Sequence, residues 1–173
     1  LDDVLVNFDG ITYAKGASVL RQLVAWVGQE NFMVGVRAYI AKHAWQNTEL
    51  PDLMTELEAA SGRDLSEWTR VWLETSGVNT LRTEVETDEA GTITALRLRQ
   101  SAPDGSPSAP GDDVLRPHRL AVGFYDVDEA TGRLIRTERF ELDVAGEVTE
   151  VAEAAGRRRP AVILPNDDDL AYA

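Results

Sequence analysis

Apolar residues in the first 80 positions recur at the spacing of amphipathic helices. In the first predicted helix the stripe follows steps of four and three: Tyr13, Ala17, Leu20, Val24 and Val27. Further apolar residues widen this stripe, so we expect this helix to be buried on more than one side. Three more helices are predicted over about 30–43, 51–60 and 64–77. Short connections between the four helices favour antiparallel neighbours.

Local signals place the ends of these helices. Gly28 suits the end of the first helix, Pro51 the first turn of the third, and Gly62 the end of the third. The fourth helix opens with Asp64-Leu65-Ser66-Glu67, which we interpret as an acidic variant of the capping box.

The pattern changes to alternation after residue 80. Strands are predicted over about 82–87, 92–100, 120–124, 134–144 and 161–164, and residues 101–113 have the composition of a flexible loop. The strongest hairpin signal is the turn 128–132 between two alternating segments. We therefore predict an α+β chain, with about four antiparallel helices over residues 1–80 followed by a small antiparallel β-sandwich over 81–165.

Composition excludes several function classes. The 173 residues include 30 Asp and Glu against 17 Lys and Arg, a formal net charge of -13, which argues against nucleic-acid binding. The absence of cysteine excludes disulfides and cysteine-ligated metal sites. No apolar run approaches the length of a membrane span, so no membrane partner is expected. Leu1-Asp2-Asp3 is not a translation start, so we expect the chain to be a piece of a longer protein.

The residues alone do not predict a self-contained catalytic site. The two histidines, His43 and His118, lie in different halves, whereas a mononuclear zinc site usually needs two within one helical turn. We interpret His43 as a helix-end residue and His118 as a surface residue at a strand start. The acidic run Asp167 to Asp169 could bind calcium loosely, but a solvated turn is favoured. The basic run Arg157 to Arg159 is interpreted as a solvated loop.

One segment of the first half carries a family resemblance. Phe8-Asp9-Gly10-Ile11-Thr12-Tyr13-Ala14-Lys15-Gly16-Ala17 resembles the Tyr-x-Lys-Gly-Ala segment of the aminopeptidase N family of zinc metallopeptidases, the gluzincins. The similarity continues in order through 32–43, 47–53 and 64–77. The resemblance implies that residues 1–80 are the helical end of a thermolysin-like catalytic domain. It also implies that 81–165 are the β-sandwich that comes after it and 166–173 the truncated start of a further domain.

The resemblance assigns a role to Tyr13 alone. Tyr13 matches the family's catalytic tyrosine, whose phenol stabilises the oxyanion formed when water attacks a peptide carbonyl. The family's His-Glu-x-x-His and Gly-x-Met-Glu-Asn motifs are missing from this sequence. The resemblance therefore implies a parent zinc aminopeptidase acting on peptides, of which this segment supplies the tyrosine but no metal ligand. By itself the chain is expected to bind no zinc and to cleave nothing.

Two further expectations concern partners and location. The alternative to an enzyme segment is a non-catalytic module of helices and sandwich that binds a partner protein through an exposed apolar patch on the first helix. If the chain is a piece of an enzyme, the faces of Tyr13 and Trp26 would be exposed in isolation, so self-association through the first helix is expected. The absence of cysteine and of a visible signal segment favours a cytoplasmic location.

Overall fold

The computed structural model describes residues 10–75, 77–102 and 114–170, and the side chains from Tyr13 onward. The described residues form two compact units, one ending at Glu74 and the other beginning at Thr75. The first unit is helical and the second consists almost entirely of antiparallel strands. The predicted α+β fold class is confirmed.

Over residues 10–74 the first unit contains four helices, as predicted. They are α1 (Gly10–Val27), α2 (Gln29–His43), α3 (Leu50–Ser61) and α4 (Ser66–Leu73). The last helix ends at Leu73 and not near Gly77, because its buried stripe of Trp68, Val71 and Trp72 stops there.

The helix ends follow local chemistry. Gly28 separates α1 from α2 with a φ of 86°, a left-handed conformation that glycine adopts without steric cost. Gly62 ends α3 in the same region, and its N–H donates to the carbonyl of Glu58 at 2.8 Å.

The capping box occurs at a different helix from the one predicted. It forms at the start of α3, where the Glu49 N–H donates to the Asp52 carboxylate at 2.9 Å and the Glu49 side chain accepts from the Asp52 N–H. At the start of α4, Asp64 instead accepts the N–H of Ser66 at 2.8 Å, and Glu67 pairs with Arg70 at 2.6 Å. The prediction for α4 was wrong because Arg70, one turn along, is a stronger partner for Glu67 than the backbone.

A glycine allows α2 and α3 to pack closely. A Cβ atom on Gly35 would lie 2.8 Å from Cδ2 of Leu57 and 2.9 Å from the carbonyl oxygen of Glu56. Leu57 and Met54 are buried at this contact, and Lys42 of α2 pairs with Glu56 of α3 at 2.7 Å. The two helices are therefore held together by a close backbone approach, buried apolar side chains and an ion pair.

The second unit is an antiparallel sandwich of two three-stranded sheets. Its strands are β1 (Thr80–Thr87), β2 (Ile93–Ser101), β3 (His118–Val127), β4 (Leu134–Val144), β5 (Val148–Glu150) and β6 (Val162–Asp167). One sheet has the order β1-β2-β5 and the other β4-β3-β6. The predicted 128–132 hairpin joins β3 and β4, and Asp128 closes its turn by accepting from the N–H of Gly132 and the hydroxyl of Thr131. The last strand extends to Asp167, beyond the predicted end at 164.

Apolar residues from both sheets form one core. Its buried members are Ile93, Leu96, Leu98, Leu120, Val122, Phe124, Phe140, Val144, Val151 and Ala154. Phe124 and Phe140 meet edge to face with ring centroids 5.0 Å apart, an arrangement that adds to the burial term. The alternation of β3 thus places Leu120, Val122 and Phe124 between the sheets.

His118 is buried, and its interpretation as a surface residue was wrong. The side chain is 0% exposed, because His118 precedes Leu120, Val122 and Phe124 at the same two-residue spacing and so lies on the inner face of β3. Burial lowers its pKa to about 4, and the positive charge of Arg116 lowers the pKa in the same direction.

Polar side chains form a buried hydrogen-bond group near this strand start. The Gln100 amide donates to the carbonyl of Arg116 at 2.8 Å and to the side-chain oxygen of Asn79 at 3.2 Å. The Arg116 N–H donates to the same Asn79 oxygen at 2.9 Å, and its guanidinium donates to Thr75 at 2.6 Å. These bonds tie the first residues of the second unit to β2 and to the segment before β3.

The buried histidine predicts a pH-dependent stability. Unfolded His118 has a pKa near 6.5, above the folded value of about 4. As the pH is lowered, the unfolded chain is therefore protonated at His118 at a higher pH than the folded chain. The free energy of unfolding has its full value above pH 6.5 and falls as the pH is lowered toward 4. The loss attributable to this group is about 3 kcal/mol. Urea unfolding at pH 7 and pH 5 should show a smaller fall for His118→Gln than for the wild type, and equal falls would contradict the assignment.

Candidate functional site

Tyr13 lies in the first turn of α1 on an exposed face of that helix. Its side chain is 61% exposed, residues 14–17 are also exposed, and Leu20 is half exposed. The expectation that α1 is buried on more than one side is therefore wrong for its first half. The exposed face follows the predicted stripe of Tyr13, Ala17 and Leu20.

The far end of α1 is the part that is held in place. Gln22, Leu23 and Val27 are buried, and the guanidinium of Arg63 lies 4.6 Å from the ring centroid of Trp26. Trp26 is therefore half-buried under a cation, not exposed as expected. Trp26 lies thirteen positions after Tyr13, about 20 Å along a helix axis. The tyrosine thus lies on a long helix whose fixed end is distant from it.

The chemistry available to Tyr13 is that of a neutral hydrogen-bond donor. A phenol hydroxyl can donate to a developing oxyanion without losing its proton. A rigid helix aims that donor, and exposure in this chain leaves the phenol accessible to another surface or to a substrate. These properties fit the role that the resemblance assigns to Tyr13.

His43 is the last residue of α2, as its interpretation as a helix-end residue requires. Its ring lies 5.5 Å from the ring of Tyr39, and the hydroxyls of Tyr39 and Thr48 share a hydrogen bond of 2.5 Å. These contacts place His43 in the packing at the end of α2, beside an aromatic ring.

The described residues do not fit the zinc ion that the resemblance implies. Over 10–75, 77–102 and 114–170, no three His, Cys, Asp or Glu side chains come together in a way that could hold a metal ion. The two histidines also belong to different units. That the chain alone binds no zinc stays a prediction.

The acidic and basic runs near the end of the chain differ from each other. Arg157 to Arg159 are exposed, as predicted for a solvated loop. Asp167, by contrast, is only 4% exposed and bonds to Tyr125 and Arg136, so its interpretation as part of a solvated turn was wrong. The sequence signal was its place at the end of an apolar strand, where alternation can carry a carboxylate onto the sheet.

No helix among the described residues is both long enough and apolar enough to cross a bilayer.

The helical unit and the sandwich resemble parts of larger peptidases. A family model described as the peptidase family M1 domain matches residues 2–72. The helices that carry Tyr13 and His43 therefore lie within the part of the chain that matches this family model.

Comparisons with individual proteins extend the similarity to the sandwich. Aminopeptidase N of Streptomyces lividans is 60% identical over 173 residues, which is 100% of this chain and 20% of that protein. Aminopeptidase 2 of Candida albicans is 37% identical over 151 residues, covering 87% of this chain and 16% of the relative. The chain belongs to the peptidase M1 family. It spans about a fifth or less of the length of these curated relatives.

A solved structure shares the fold. The crystal structure of Legionella pneumophila aminopeptidase A in complex with aspartic acid superposes with a TM-score of 0.61 at 18% identity. The match covers 90% of this chain and 18% of that one. At this identity the likeness supports the arrangement of helices and strands and says nothing of substrate.

Proposed function

We propose that this chain is part of a zinc-dependent aminopeptidase that removes N-terminal residues from peptides. The observation that carries the proposal is the 60% identity to an aminopeptidase N over all 173 residues. Other relatives with aminopeptidase names match both halves of the chain at lower identity. The helical unit is the end of the catalytic domain and the sandwich is the domain after it.

Tyr13 supplies the oxyanion donor of this reaction. When water attacks the carbonyl of the first peptide bond, negative charge develops on the carbonyl oxygen, and the Tyr13 hydroxyl donates a hydrogen bond to it. The phenol keeps its proton throughout, so it adds no proton transfer to the step. The exposed position of Tyr13 on α1 supports this role, because a donor buried within the chain could not reach a substrate.

Zinc and its ligands belong to the parts of the longer protein outside this chain. When bound, the metal would polarise the carbonyl and activate water. This division is supported by the missing His-Glu-x-x-His motif and by the lack of any ligand cluster among the described residues. A cytoplasmic location stays a prediction from composition.

Removal of the Tyr13 hydroxyl should affect kcat strongly and KM little. In the full-length protein loaded with zinc, Tyr13→Phe should lower kcat about 10²–10³-fold, the effect of removing one oxyanion donor. KM and the zinc content should change little, because the ring and the metal ligands are kept. Steady-state hydrolysis of an aminoacyl-anilide and metal analysis measure these quantities.

Tyr39→Phe is the matched control for this experiment. It removes the same atom from the same first unit, where that hydroxyl bonds to Thr48. It should leave kcat near the wild-type value and cost about 1 kcal/mol of stability. An unchanged kcat in Tyr13→Phe, or an equal loss in both variants, would remove the role assigned to Tyr13.

The chain alone should lack the activity of the longer protein. Purified residues 1–173 with added zinc should show no stoichiometric metal by equilibrium dialysis and no hydrolysis of an aminoacyl-anilide, because the described residues offer no three-ligand site. The full-length protein assayed in parallel is the positive control. Turnover by the chain alone that follows its zinc content would show that the site lies within it.

A non-catalytic interaction module is the second candidate, favoured by the exposed apolar side chains of α1 and α2. They include Tyr13, Leu20, Met33, Val34 and Ile40. For either function, we propose that the chain by itself associates with a second copy through the Tyr13, Ala17 and Leu20 face of α1. An activity assay of the longer protein distinguishes the two candidates.

If the isolated chain associates through α1, a charged side chain introduced on that face should disrupt the dimer. The isolated chain should form dimers at micromolar concentration in light scattering after size exclusion, and Leu20→Lys should shift it to monomer, because a lysine cannot be buried in an apolar contact without cost. Leu73→Lys is the control, since Leu73 is similarly exposed but lies on α4. A wild-type monomer, or an equal response to both changes, would contradict association through α1.

A further inference from the structure

Four side chains of the β4-β3-β6 sheet and one from the turn directly after β6 form a connected group, which we call the latch. Its members are Tyr125, Arg136, Arg139, Asp167 and Asp168. We propose that the latch holds the turn after β6 in a single conformation and so sets the direction in which the chain leaves the sandwich. The latch lies entirely within the second unit, and its role does not depend on the proposed aminopeptidase function.

Asp167 is the centre of the latch. It ends β6, and its side chain is almost fully buried although it carries a carboxylate. The Tyr125 hydroxyl donates to Oδ1 at 2.7 Å, and Nη1 of Arg136 donates to Oδ2 at 2.9 Å. Burial by itself would raise the pKa of Asp167, but these two hydrogen bonds outweigh burial and lower the pKa. The carboxylate is therefore ionised and satisfied on both oxygens.

Two arginines of β4 extend the group to the next residue. Nη1 of Arg136 also donates to Oδ1 of Asp168 at 2.9 Å, and Nε of Arg139 donates to Oδ2 of Asp168 at 2.7 Å. Since β3 separates β4 from β6 in the sheet, these bonds span the central strand. They connect one edge strand to the residues that come after the other edge strand.

The central strand is adapted to this group at Gly123. A Cβ atom there would lie 2.7 Å from Cγ of Asp167 and 2.8 Å from Cε2 of Tyr125. Any larger residue would push the carboxylate and the ring out of the positions in which they bond. The glycine is therefore a condition for the latch, since its φ is not in the left-handed region and no turn requires it.

The turn that the latch holds has an unfavourable backbone. Asn166, Asp168 and Asp169 have φ values of 58°, 70° and 52°, in the left-handed region that side chains with a Cβ disfavour. The Asp169 N–H closes the turn on the carbonyl of Asn166 at 3.0 Å. Asn and Asp tolerate this region better than other residues, yet three such conformations within four residues need external support. The charge-assisted bonds of the latch provide it.

The consequence is a fixed exit from the sandwich. With the latch closed, Leu170 starts from one position and one direction relative to β3 and β4. With the latch open, the same turn would sample other backbone conformations while the core between the sheets stays packed. In a protein that continues past residue 173, the latch would therefore orient the next segment of the chain.

Hydrogen exchange on the full chain tests the latch directly. In Arg136→Gln, amide exchange in peptides covering 163–170 should rise at least about tenfold over wild type, the size expected for losing charge-assisted bonds. Exchange in β1 and β2 should stay at the wild-type rate, because the core is not touched. Asp168→Asn, which leaves the buried Asp167 bonds in place, should give a smaller rise in the same peptides.

Two further variants make the test specific. Arg97→Gln removes a comparable cross-strand pair on the other sheet, with Glu86 at 2.6 Å, and should not change exchange in 163–170. Gly123→Ala keeps every charge and should raise exchange there as Arg136→Gln does. The proposal is overturned if Arg136→Gln leaves 163–170 at the wild-type rate, or if Arg97→Gln raises it equally. Were Arg136→Gln not to fold, Asp168→Asn and Gly123→Ala decide, and wild-type exchange in both would reject the latch.

Discussion

The candidate site depends on how the last turns of α1 are held. Leu23 and Val27 are buried, and Trp26 lies beneath the guanidinium of Arg63, whereas the first turns that carry Tyr13 are exposed. A helix is stiff over this length, so packing at one end determines where the tyrosine at the other end points. The same arrangement explains why the apolar face that carries Tyr13 is exposed in this chain: the buried residues of the helix lie at the opposite end.

The sandwich is organised by a different constraint, the burial of charged and polar groups within an antiparallel frame. His118 is kept neutral by desolvation, the Gln100 amide donates to Asn79 and to the Arg116 carbonyl, and Asp167 is paired on both oxygens. The loss of charge at His118 and the pairing of Asp167 each lower the cost of burying a polar group beside an apolar core. The cost of breaking one of these groups would exceed its net contribution, because the remaining partners would stay buried.

The spacing of apolar residues predicted the helices and strands well, but it did not predict the partners of individual side chains. The four helices, the hairpin at 128–132 and the alternation of β2 and β3 were predictable, because spacing of apolar residues reports directly on local geometry. The burial of His118 follows from that same spacing, which outweighs the usual exposure of histidine. The end of α4 at Leu73 followed the end of its buried stripe, and the capping box at α3 instead of α4 was decided by competing hydrogen-bond partners.

Residue order and local preference were enough to predict the fold class and to carry the family resemblance, and the proposed role of Tyr13 comes from that resemblance. The exposure of Tyr13, the burial of Asp167 in an ion-pair group and the space that Gly123 leaves for it emerge only in the folded chain. The physical reason is that burial and pairing depend on residues far apart in the chain. Arg136 and Asp167 form an ion pair across β3, and the local sequence around neither residue predicts the other as its partner.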